Sequence, residues 1–267
     1  MTTQNKRLKV AIKAARAAGK ILHQKFDGTR TIHSKGVRDI VTDADFAADA
    51  CVRAIIHKNF PDDKFLSEED SAETRKSLWA EAERGDSAPL WVVDPLDGTA
   101  NYAHRIPVFA VSIGLYHRGG VVLGVVYDPV RDELFAAERG SGATLNGKPI
   151  HVGTRTLEDA VIGLEFARKP AHRTQTTRVL ARLIHRALTA RSTGSAAISL
   201  CYVACGRFDA YFHFSLSPWD VAAAAHIIEQ AGGRVTTPWG KPWSVHSGAY
   251  VATSAQLKSR ILKFFRA

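Results

Sequence analysis

The stretch Trp91-Val92-Val93-Asp94-Pro95-Leu96-Asp97-Gly98-Thr99 puts two carboxylates, a carbonyl and a hydroxyl close together in the chain. An apolar run delivers Asp94 at its end, Pro95 restricts the turn that follows, and Asp97 can return to the same cavity with the Leu96 carbonyl as a further oxygen. Gly98 lets backbone approach a ligand closely. Thr99 adds a hydroxyl and a helix start whose free N–H groups favour a phosphate. The same residues would also make a capped β-turn. Two further acidic segments stand apart. Glu68-Glu69-Asp70 suits either a site or a solvated face, and Asp220 in Ser217-Pro218-Trp219-Asp220 suits either a site or the positive end of a helix dipole. Carboxylates sharing one cavity repel and retain protons unless cations neutralise them. Oxygen ligands without a nearby His/Cys cluster point to Mg²⁺ or Mn²⁺ rather than structural zinc. Magnesium held by a few carboxylates, together with a substrate phosphate, suits phosphoryl transfer to water.

The elements that must carry these residues can be read from periodicity. Leu8, Ile12, Ala15 and Leu22 define an amphipathic first helix. Beyond a polar stretch through Gly28 and Gly36, Thr42-Asp43-Ala44-Asp45 opens a helix as a capping box, with Ala47, Cys51 and Ile55 on one face. Ser71–Ala88 reads as exposed and charged, and Leu90–Val93 as a buried strand. Phe109–Tyr116 and Val121–Tyr127 form a hairpin, extended by Leu134–Ala137 and the Asn146-Gly147 turn. Later come a strand at Val161–Phe166, a basic helix near Thr174–Leu188, a small-residue helix over Gly194–Cys205 and a strand at Asp209–His213. A proline-started helix from Ser217 to Ile228 follows, then a strand at Gly248–Thr253 and a helix over Ser254–Phe265. Alternating sheet and helix layers in one body, an α/β (α+β layered) fold, are the simplest reading.

The 267 residues, 45% hydrophobic and 23% charged, suit an ordinary globular chain. No apolar run approaches the roughly 18 residues of a membrane span. Cys51, Cys201 and Cys205 form no C-x-x-C pair, and a sparse, odd count fits a reduced, cytoplasmic setting. The net charge of +10 is uneven: residues 39–97 hold 15 of the 26 acids against six Lys/Arg, while 166–208 holds eight Lys/Arg and no acid.

Together the segments resemble the inositol monophosphatase family of lithium-sensitive, magnesium-dependent phosphatases. The matching elements are Asp39-Ile40-Val41-Thr42-Asp43-Ala44-Asp45, Glu68-Glu69, Asp94–Thr99, Gly194-Ser195-Ala196, Trp219-Asp220 and Ala231-Gly232-Gly233, in family order over nearly the full chain. The resemblance implies an αβαβα sandwich of the inositol monophosphatase/fructose-1,6-bisphosphatase type as a single domain over 1–267. Its N-terminal layer (to about residue 150) would supply most ligands, and its C-terminal layer (151–267) Asp220. It also implies two or three Mg²⁺ ions per site, with Mn²⁺ a substitute. Glu68, Asp94 and the Leu96 carbonyl would hold the first; Asp94, Asp97 and Asp220 the second; and a third would sit near Glu68. Thr99 with Glu68 would orient and help deprotonate the attacking water, and Gly98 and Thr99 would receive the phosphate. Lys35, Asp39 and Asp45 match an outer group supporting the metal site, and Ala196 a residue near substrate. A homodimer is implied as well.

Two departures matter. Ser67 replaces the usual glycine before the paired glutamates, and His213 replaces the substrate-binding glutamate seven residues before the last metal aspartate. Histidine accepts less well than a carboxylate and cannot be bidentate. It therefore either shifts preference from inositol phosphate to another polyol, sugar or amino-alcohol phosphate, such as histidinol phosphate, or is a strand residue pointing elsewhere. A fructose bisphosphate or nucleotide phosphate substrate remains open, as does a regulatory role in which Arg168–Arg191 meets RNA or a transcription complex. That stretch reads first as a solvated helix face or a dimer contact.

Overall fold

The acid-free N-terminal segment forms α1 (Thr3–Phe26) because Ala11, Ala14, Ala15, Ala18 and Leu22 fall along one face and are fully buried. The computed structural model describes residues 3–28, 31–36, 39–84 and 87–266. The polar stretch that follows α1 contains the first strand of a small antiparallel hairpin, β1 (Ile32–Gly36) and β2 (Asp39–Thr42). A capping box then starts α2 (Asp43–Asn59), with Thr42 as cap and Asp45 at the third helical position. The buried face of α2 is Ala44, Ala48, Val52 and Ile56. The expected Ala47–Cys51–Ile55 face is only half-buried. Asp45 turned inward towards its cap brings the Ala44 line, not its neighbour, onto the sheet.

A seven-stranded sheet follows: β3 (Lys64–Ser67), β4 (Leu90–Asp97), β5 (Ala110–His117), β6 (Gly120–Asp128), β7 (Glu133–Glu138), β8 (Ala143–Leu145) and β9 (Lys148–Ile150), ordered as in the sequence. Only β3 and β4 run parallel; every other pair is antiparallel. Between β3 and β4, the segment read as charged and exposed is largely so, and it carries α3 (Ala72–Ala82), started by Ser71 and anchored by buried Trp79 and Ala82. Two apolar anchors in a charged helix are too few to produce a periodic signal. The short α4 (Thr99–Ala103) leads from β4 towards β5.

A five-stranded sheet is ordered β11 (Thr189–Arg191), β10 (Val161–Leu164), β12 (Ala210–His213), β14 (Tyr250–Ser254), β13 (Gly233–Thr236). Its helices are α5 (Pro170–Leu183), α6 (Ala196–Ala204), α7 (Pro218–Gln230) and α8 (Lys258–Leu262). α5 starts and ends earlier than the basic spacing suggested, since Pro170 suits the first helical position. Cys201 is buried in α6, Cys205 ends it, and all three cysteines are free.

Helices α1 and α2 cover one face of the large sheet, α6 and α7 fill the space between the sheets, and α5 and α8 cover the outer face of the smaller one. The result is an αβαβα sandwich. The central layer is thin because α7 presents the run Ala222–Ala225 to paired glycines. Gly114 and Gly124 are partners in the β5–β6 ladder, and a Cβ on Gly124 would lie 2.3 Å from the Ala223 carbonyl oxygen. That close seat fixes where the start of α7 meets β4.

Candidate active site

The strand β4 is buried along its whole length, which its apolar first half dictates. Its ladder with β5 slips between Asp94 and Asp97, at Pro95-Leu96, where proline has no N–H to give. The irregularity brings both carboxylates to one cleft of about 350 Å³. Asp94 folds back to accept from the Leu96 N–H at 3.0 Å. Gly98, with φ of +94°, turns the chain into α4 as only glycine does comfortably; a Cβ there would also lie 2.9 Å from the Val108 carbonyl oxygen.

Glu68 arrives from β3, where Ser67 pairs with Val93 and the Glu68 N–H donates to the Val93 carbonyl at 3.1 Å. Of the three adjacent acids it alone lines the cleft. Asp70 instead accepts from the Ser67 N–H at 2.8 Å and from Arg53 at 2.9 Å. Asp220, at the third position of α7, accepts from the Ser217 N–H at 2.7 Å. Carboxylate oxygens of Glu68, Asp94 and Asp220 lie within 4.8 Å of one another.

Burial, with Glu68, Asp97 and Asp220 as like-charged neighbours, holds the Asp94 carboxyl well above the usual range. Asp220 is pushed up to about 7 by burial and by Asp97. Such a cluster keeps its protons unless a cation replaces them. Its all-oxygen donor set fits a hard divalent ion of the magnesium type, with the Leu96 carbonyl also in the cleft.

Asp97 faces the same cleft, but its carboxylate is turned to the start of α6. It accepts from the Ser195 hydroxyl, from the Ala197 N–H at 2.9 Å and from the Ala196 N–H at 3.3 Å. Burial nevertheless pushes its carboxyl up to about 6. Asp45 Oδ2 accepts from Thr42 N–H at 2.8 Å and from the Thr42 hydroxyl at 2.6 Å, which leaves Oδ1 towards the Thr99 hydroxyl at 3.3 Å.

The sequence model of the inositol monophosphatase family matches residues 3–267. The chain belongs to the inositol monophosphatase family. It is similar to inositol monophosphatase 2 of Solanum lycopersicum, 40% identical over 257 residues and 95% of each chain. It is also similar to the Nus factor SuhB of Escherichia coli K12, 36% identical over 263 residues, 97% of this chain and 95% of that one. Among solved structures, the extragenic suppressor protein suhB of Bartonella henselae superposes with a TM-score of 0.88 at 34% identity, over 97% of both chains. At the level the family carries, the chain is a metal-dependent phosphoric monoester hydrolase.

In this family member the structure brings Glu68, Asp94, Leu96, Asp97, Gly98, Thr99, Ala196, His213 and Asp220 to one cleft, with Asp45 linked through Thr99. The side chains of Lys35 and Asp39 lie outside the described ones; their backbones form the β1–β2 hairpin. Sequence reasoning passed over Glu165. Its Oε1 accepts from the Thr193 N–H at 2.8 Å and the Gly194 N–H at 2.9 Å, and its Oε2 accepts from the Ser192 hydroxyl. This clamp fixes the loop from which Ser195 reaches Asp97. The signal was available: Glu165 is the last acid before the long acid-free run.

Proposed function

We propose that the chain hydrolyses a small phosphate monoester by direct attack of water on phosphorus, with Mg²⁺ as cofactor and inositol 1-phosphate as the reference substrate. The observation that carries this reading is the convergence of Glu68, Asp94 and Asp220 within 4.8 Å. Glu68, Asp94 and the Leu96 carbonyl would hold one ion, and Asp94, Asp97 and Asp220 a second. Bound there, the ions would supply an acidified water and neutralise charge on the phosphate and leaving oxygen. Thr99, between Asp45 and the Leu96 carbonyl, orients the water, with Glu68 beside it. Gly98 and Thr99 offer backbone N–H groups to the phosphate, and Ala196 borders the substrate. Ser195 is committed to Asp97, consistent with a route that needs no covalent phosphoenzyme.

The plant relatives, inositol monophosphatases by name, support inositol phosphate. Lithium inhibition, a homodimer, a cytoplasmic location and one domain with layers dividing near residue 150 are part of the same reading. Phosphate release from a panel of monoesters, with magnesium titration and lithium, tests it. Failure on every monoester with metal bound would sink it.

A regulatory reading draws on the name Nus factor carried by the SuhB relatives and on the basic 168–191 stretch. Much of that stretch already has work within the chain. Arg173 lies over the Phe166 ring and donates to the Ala167 carbonyl, Arg182 donates to the Phe264 and Arg266 carbonyls, and Arg168 borders the cleft. Salt-dependent RNA retention that is lost on Arg178/Arg186→Ala would favour this second role.

A further inference from the structure

Among the described residues none of α3 lines the cleft, yet Arg75 in that helix touches two of the segments that bring acids into it. Its Nη1 donates to the Glu68 and Asp70 carbonyls, at 2.6 Å each. Its guanidinium also lies over the ring of Trp219, 4.9 Å from the centroid. Trp219 is the residue before Asp220 and itself lines the cleft. One half-buried cation therefore joins the Glu68 turn to the start of α7.

The contacts fall where placement is decided. The Glu68 N–H donates to the Val93 carbonyl at 3.1 Å, but β3 ends at Ser67, and beyond it Arg75 holds the Glu68 carbonyl. The turn is closed within itself. The Asp70 carboxylate accepts from the Ser67 N–H at 2.8 Å, and the Asp70 N–H donates to the Ser67 carbonyl at 3.2 Å. Trp219 is tied to the same sheet: the Ser112 hydroxyl donates to its carbonyl at 3.3 Å, and Ser112 is the β5 partner of Asp94. Trp219 is thus set against Asp94 through its backbone and against Glu68 through its ring. A planar guanidinium can donate in its plane while its face covers an aromatic ring, which an ammonium cannot do. A cation at this place opposes metal binding through its charge. Charge and placement therefore predict opposite effects of removing it.

We propose that Arg75 is a positioning residue of the metal centre: it sets the Glu68 turn against the start of α7, and so fixes the separation of Glu68 from Asp220. The inference rests on the metal reading proposed above for Glu68, Asp94 and Asp220. Calorimetry of Mn²⁺ binding to the whole protein at pH 8, without substrate, tests it. Arg75→Met keeps an unbranched side chain and should weaken Mn²⁺ binding by about tenfold to a hundredfold, the range for groups that orient metal ligands. Trp219→Leu should weaken it as well, and the double variant should lose clearly less than the two single losses combined. Circular dichroism checks that each variant is folded. Affinity unchanged or tightened in Arg75→Met overturns the proposal, and so does full additivity in the double variant. Should Arg75→Met fail to fold, Arg75→Lys and Trp219→Leu decide it, and wild-type affinity in both overturns it. Wild type that binds Mn²⁺ but releases phosphate from no monoester would sink the hydrolase reading and leave this inference standing. Wild type that binds no ion would remove both.

Discussion

Thr99 points its hydroxyl at Asp45 Oδ1 across 3.3 Å, joining the first residue of α4 to the first turn of α2. The Leu96 carbonyl stands 2.9 Å from the same hydroxyl, and one proton cannot serve both acceptors. Were the carbonyl to hold a cation, as proposed above, the proton would turn to Asp45 and a Thr99 lone pair would be free to receive a hydrogen bond from the attacking water. Thr99→Val and Asp45→Asn should each lower kcat by about a hundredfold or more, with KM little changed. Thr99→Ser should keep most of the rate. Steady-state kinetics at saturating Mg²⁺ check this; a change confined to KM would contradict it.

Asp94 is the most crowded acid of the cluster, with burial and three carboxylate neighbours raising its pKa. Asp94→Asn should cut magnesium-dependent phosphate release by about a thousandfold while the fold persists, because it removes a ligand and also a buried repulsion. Circular dichroism and a melting curve without metal should match or exceed wild type. Near-normal turnover would refute the assignment.

The metal-free cluster should make stability depend on pH. The Asp220 carboxyl sits at about 7 in the folded chain against an ordinary 3.8, and Asp97 at about 6. Between about pH 4 and 7 the folded state therefore holds protons that the unfolded state has released. This contribution is fully present below about pH 4 and is lost as pH rises through the folded values, so the apo protein weakens across that window. Magnesium should raise Tm little at pH 5 and clearly at pH 8, where a hundredfold excess over Kd adds about 2.7 kcal/mol of stability, and its binding should release protons. Differential scanning fluorimetry at the two pH values, and calorimetry in buffers of different ionisation enthalpy, test this. A Tm gain independent of pH would argue against it.

Glu165 gathers five donors on a mostly buried carboxylate. Glu165→Gln replaces one acceptor oxygen with a donor among them, so it should destabilise the chain by about 2 kcal/mol. It should also lower activity through displacement of Ser195 and, with it, Asp97. Urea unfolding and kcat are the readouts. Loss of stability with activity per folded molecule unchanged would confine Glu165 to a structural role.

The residues proposed for the metal site could be picked out in the sequence because each stands at a boundary that sequence marks well. Asp94 ends an apolar run, Asp45 and Asp220 occupy capping positions, and Gly98 marks a turn. Its place as the last acid before the acid-free run marks Glu165, but its role is set by a loop distant in sequence, and nothing local predicts that Thr193 and Gly194 will turn their N–H groups towards it. Strand β13 and the hairpin partner β1 escaped for a related reason. Short, polar or glycine-led strands take their structure from their neighbours rather than from their own pattern. His213 was visible as a residue type, but its tautomer depended on the Ser215 N–H.

The seat of α7 on Gly114 and Gly124 ties the metal centre to the order in which the chain is made. Glu68, Asp94 and Asp97 belong to the first sheet, which is complete in sequence by Ile150, whereas Asp220 reaches them only when α7 packs against that sheet. A chain emerging from the ribosome thus carries a half-built, self-repelling group of acids until α7 has been made and has packed. On the reading proposed above, tight magnesium capture would mark the docking of α7, and a product lacking α7 would lose Asp220 from the cluster.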